Sequence, residues 1–139
     1  MTAPAAGGPA RWRLVLRYLL AAAMVIVGVS HFANPGPFVR IVPSALPAPL
    51  VLVYLSGAAE VGLGLLLLWG RTQRLAAYGL IALFVAVFPA NINMAINGIQ
   101  LDPASPMPAW AAWARLPLQA VLIAWAWAVR GERPLDPRR

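Results

Sequence analysis

The chain has no cysteine, and its 139 residues include a single histidine. The first absence excludes thiol–disulfide chemistry, iron–sulfur clusters and cysteine-ligated metals, and the second excludes a multi-histidine site, so no metal is expected. Charge is scarce as well: 11% of residues carry it, with every one of the 11 bases an arginine, against 4 acids. What is present is apolar. Hydrophobic residues make up 61% of the chain and the mean hydropathy is +0.73, which is membrane composition rather than that of a soluble core. A net charge of +7 and a pI near 11.6 would suit nucleic acid. The arginines, however, stand between apolar runs, a pattern that reports topology and not a binding stripe, so no nucleic-acid partner is expected. The length is one domain's worth and leaves no room for a separate catalytic domain.

Four apolar runs, at about 14–32, 49–69, 75–96 and 109–129, predict an all-α fold. The expected architecture is an antiparallel bundle of four transmembrane helices over residues 11–130, with a disordered tail at 1–10 and another at 131–139. The basic start and first run also resemble a signal peptide, with Gly28 and Ser30 as a cleavage pair, but three further runs follow and the first is read as a retained span. Between the first two runs, Pro35, Pro37, Pro43, Pro47 and Pro49 forbid one long helix. Asn34 followed by Pro35 has the form of an N-cap and first helical position. Phe38, Ile41 and Val42 would form the apolar side of a short interfacial helix stopped by Pro43. Pro89 is expected to kink the third span. The six tryptophans, at 12, 69, 110, 113, 125 and 127, fall near span ends and are read as lipid anchors. Four spans put both termini on one side. Arg11, Arg13, Arg17, Arg71, Arg74, Arg130, Arg133, Arg138 and Arg139 share that side and only Arg40 lies in a loop opposite, so both ends are expected in the cytoplasm.

The second span carries Glu60 near its midpoint. A charge at the membrane centre costs roughly 2.5–3.5 kcal/mol on insertion scales, so a retained carboxylate is normally turned inward and paired. Ser56, Glu60 and Gly64 fall four residues apart on one helical face with Gly57 beside them. A second backbone is expected to approach there. At about 1.5 Å per helical residue, depth along the bundle follows from position in each run. His31, Asn91, Asn93, Glu60, Arg115 and Gln119 all come out in the outer half or at the midplane, while the inner half holds almost no polar side chain apart from terminal arginines. This asymmetry suggests an outward-facing polar pocket of Glu60, Arg115, His31, Asn93, Gln119, Ser56 and Asn91. Arg115 is the expected ionic partner of Glu60, because no other base reaches comparable depth. A structural clamp between the second and fourth spans is the competing reading of that pair. Asn91 and Asn93 point about 160° apart on an ideal helix; Asn93 continues a seam of small residues on the third span, Gly79, Ala82, Ala86 and Ala90, and is the better pocket candidate, while Asn91 is placed to bond a neighbouring helix.

Three ordered elements add a resemblance. The segments around Gly28, His31 and Phe32, around Ser56, Gly57 and Glu60, and around Phe88, Pro89, Ala90 and Asn91 resemble those of the DoxX-like family of small four-helix membrane proteins, with its DoxD and NACHO-type relatives, across about residues 13–130. The resemblance implies a compact bundle in the cytoplasmic membrane. It also implies one of several roles: small subunit of a thiosulfate:quinone oxidoreductase, partner in an oxidative-stress-related complex, or assembly chaperone. Cysteine-dependent activities of some relatives do not transfer to this sequence.

Three functions are therefore weighed. The first is a non-catalytic subunit or assembly factor that engages a membrane protein partner or a second copy of itself, since no nucleophile–base pair, metal set or soluble domain is evident. The second is a binding subunit for a quinone or other small amphipathic ligand, its head held by Glu60, Arg115 and His31. The third, a small-solute carrier, has the least support, since broken helices are not evident beyond Pro89 and Pro117. Catalysis by the chain alone is not expected; any enzymatic role would be that of a quinone-linked oxidoreductase subunit.

Overall fold

A computed structural model describes residues 11–131. The expected tails lie outside the described residues, Gly131 excepted. The described chain is all-helical: α1 (Arg11–Ala33), α2 (Gly36–Ile41), α3 (Pro49–Leu66), α4 (Gln73–Asn97) and α5 (Ala109–Ala128). Three of these, α1, α3 and α4, are long and apolar enough to cross a membrane. Helix α5 forms over the fourth apolar run but is not one of the three; Arg115 and Gln119 interrupt its apolar character.

The prolines between the first two long helices act as read from the sequence, with one shift, and α4 runs as one helix through Pro89. Helix α2 begins one residue later than expected, with Pro35 itself in the cap position and no side-chain cap bond, so Asn34 is not its N-cap. It stops at Ile41 before Pro43. Helix α3 starts on Pro49, whose missing N–H is no loss in a first turn. Ala48, the residue ahead of it, takes the left-handed conformation (φ 48°, ψ 60°), outside the extended region that a following proline favours. At the end of α4, Gly98 adopts φ 60° while the Ile99 N–H reaches back to the Met94 carbonyl, a glycine-closed terminus.

The long helices form a ring in the order α1, α3, α4, α5, each packed on the next and α5 closing on α1. Neighbours are antiparallel: Gly28 meets Gly57 while Ala21 meets Gly64. The end that carries Arg11 is called here the arginine end, and the opposite end, covered by α2, the cap end.

The main core fills the arginine half, with Leu20, Leu67, Leu80 and Val129 fully enclosed. The sequence allows this half almost no polar side chain apart from terminal arginines, and one of those arginines is turned into the core. Arg17 is buried and donates to Gln73 Oε1 and to the Leu68 carbonyl, each at 2.7 Å. Gln73 in turn donates to the Val129 carbonyl at 2.6 Å. Both carbonyls lie just past helix ends, where the backbone has no donor of its own, so this network ties α1 to the closing turns of α3 and α5. Trp125 is likewise more than a lipid anchor: half-buried, it donates from Nε1 to the Leu16 carbonyl at 3.0 Å, joining α5 to α1. The other five tryptophans are exposed.

Candidate functional site

The site is built on the α1–α3 crossing. A Cβ on Gly28 would lie 2.7 Å from the Gly57 carbonyl oxygen, and one on Gly57 would lie 2.7 Å from His31 Cβ. Only glycine permits this approach, as the small-residue face of the second span suggested. One turn along each helix, the close contact brings His31 Nδ1 to 3.2 Å from Glu60 Oε2. Both side chains are buried. Glu60 therefore does face inward, but its partner is His31 and not Arg115.

The imidazole is fixed on three sides. Its Nδ1 lies 2.8 Å from the Val27 carbonyl, which can only accept, so Nδ1 carries a proton. Its face stacks on Phe38 of α2, with centroids 3.8 Å apart and planes inclined by 20°. The short cap helix thus covers the pair, as a cap over the bundle was expected to. Glu60 Oε2 is buried and receives no hydrogen bond among the described residues. A carboxyl oxygen left in that state is an open acceptor beside an imidazole.

The other expected pocket members go elsewhere. Asn91 donates to Gln119 Oε1 at 3.1 Å, and the buried Gln119 donates to the Phe84 carbonyl at 2.6 Å, a tie between α4 and α5. Phe84 immediately precedes Val85, whose carbonyl Pro89 leaves without a donor. Asn93 donates to the Ile41 carbonyl at 2.9 Å, holding α2 onto α4, and Asn97 donates to Asn93 Oδ1 at 2.7 Å. Asn91 and Asn93 thus face different helices, as their angular separation required. Ser56 bonds within its own helix, to the Val53 carbonyl at 2.9 Å. Arg115 is half-buried and makes no hydrogen bond or ion pair among the described residues. A cavity of about 50 Å³ at the cap end, lined by Met94, Ile99, Met107 and Ala112, touches none of the seven candidate residues. The single expected pocket is therefore three separate ties, His31 with Glu60, Asn91 with Gln119, and Asn93 with α2.

These features define a class: an all-helical protein with three helices able to cross a membrane and a buried His–Glu pair at a glycine crossing. Within that class, the family model described as a domain of unknown function, DUF8561, matches residues 20–130, and the chain belongs to that family. No curated protein and no solved structure matches the chain.

Proposed function

We propose that the chain is a DoxX-like integral protein of the cytoplasmic membrane, with α5 as a fourth span and both termini cytoplasmic, acting as a non-catalytic subunit or assembly factor of a membrane complex. The observation that carries this reading is that the intramembrane polar side chains are used in joining helices. Asn91, Gln119 and Asn93 each bond a neighbouring element, which is what a scaffold needs and a reaction centre does not. Arg115 is the exception. Half-exposed on α5, with Leu118 exposed one turn away, it is the group that a carboxylate on a partner helix would meet.

A second reading rests on Glu60 Oε2, whose buried, undonated state favours a small ligand or a quinone head group at the His31–Glu60 pair. Mass spectrometry of the intact protein released from native membrane separates the two. A stoichiometric protein partner, lost with Arg115→Gln, is the expected result. A co-purifying quinone that disappears with Glu60→Gln, with no partner present, would overturn the first reading in favour of the second.

A further inference from the structure

The arginine end carries a feature that none of the helix ties uses. Tyr78 of α4 and Trp127 of α5 meet edge to face, with centroids 6.1 Å apart and planes inclined by 75°. Arg74, one turn before Tyr78, lies over its ring at 5.8 Å. Arg130 lies over Trp127 at 3.9 Å and is held by a 2.7 Å bond from Nη1 to the Trp127 carbonyl. Two guanidiniums therefore flank one aromatic seam between two helices. The seam is open to its surroundings, Tyr78 being 40% and Trp127 51% exposed.

Nothing in the described chain neutralises these charges. Its acids are Glu60, within α3, and Asp102, in the loop at the cap end. Arg17, the buried arginine of this end, is already engaged by Gln73 and Leu68. We propose that the Arg74–Tyr78–Trp127–Arg130 seam binds the phosphate head group of an anionic phospholipid of the surrounding bilayer. Guanidinium forks match phosphate oxygens in geometry and charge. Tyrosine and tryptophan sit at the head-group level with their rings toward the acyl chains. Exposed Val85, two turns deeper than Tyr78 on the same face of α4, supplies apolar wall beside the seam, and basic pockets between membrane helices are the usual seat of such lipids.

The inference rests on the reading that these helices cross a membrane, so the test measures insertion separately. The full-length protein is floated with phosphatidylcholine vesicles, then titrated in detergent with phosphatidylglycerol or phosphatidylcholine and examined by native mass spectrometry. Bound phosphatidylglycerol retained in preference to phosphatidylcholine is expected, with at least about a tenfold loss of that retention in Arg74→Gln/Arg130→Gln, given the contribution of each arginine near a charged surface. Arg40→Gln, at the other end, should retain lipid as the unmodified chain does. Circular dichroism confirms that each variant keeps its helices. Equal retention of the two lipids, an undiminished double variant, or displacement by inorganic phosphate as readily as by lipid would each overturn the site. Failure to float would overturn the membrane reading itself, whereas flotation without lipid preference would overturn only the site.

Discussion

The two halves of the bundle hold buried charge in different ways. At the arginine end, Arg17 donates from both terminal nitrogens to oxygens at 2.7 Å, while its buried Nε–H finds no acceptor among the described residues. Near the middle of α3, Glu60 Oε2 lies 3.2 Å from the imidazole and receives no hydrogen bond among the described residues. The first arrangement is a structural knot that fastens four helices. The second leaves an acceptor open next to an imidazole. A buried charge by itself thus says little about function; how fully its hydrogen-bonding capacity is met distinguishes a fastener from a candidate site.

That contrast can be attacked in order of expected effect. The largest is Gly57→Val, which would drive a side chain into His31 Cβ and the Gly28 carbonyl and should cost about 3 kcal/mol, the top of the usual range for overpacking. Gly62→Ala, on the open side of the same helix with nothing within 4 Å, should instead be neutral or stabilising by about 0.5–1 kcal/mol. Thermal unfolding in detergent ranks the pair, and equal effects would show that the crossing is not tight. Next is Arg17→Ala, which strands the Leu68 carbonyl and Gln73 and should destabilise by about 1–2 kcal/mol. No change there would dissolve the structural knot. The smallest is Arg115→Gln, expected to alter the stability of the isolated chain by no more than about 0.5 kcal/mol, since nothing described in the fold bonds it. A large loss would reveal a tie missing from this account.

Much of the fold was legible in the sequence because apolar runs and prolines act locally. Helices stand at all four expected runs, and the prolines from Pro35 to Pro49 isolate α2. The inward turn of Glu60 followed from the glycines that share its face. The pairing was not legible from depth alone. Rise per residue gives height along the bundle but not position around it, and in the ring α1, α3, α4, α5 the helices bearing Glu60 and Arg115 are diagonal. His31 lies on the adjacent helix, and the preference of consecutive antiparallel helices to pack together was the signal that could have selected it. Gln73 was missed for a related reason. Its role depends on helix-end carbonyls of α3 and α5, which show no pattern in side-chain sequence.

Because the chain contains one histidine, its imidazole signals need no assignment, and nitrogen-15 NMR of the histidine-labelled protein in lipid nanodiscs tests the central pairing directly. A protonated Nδ1 is expected, its resonance moving with Glu60→Gln and staying in place with Arg115→Gln. A resonance indifferent to Glu60→Gln would contradict the pairing.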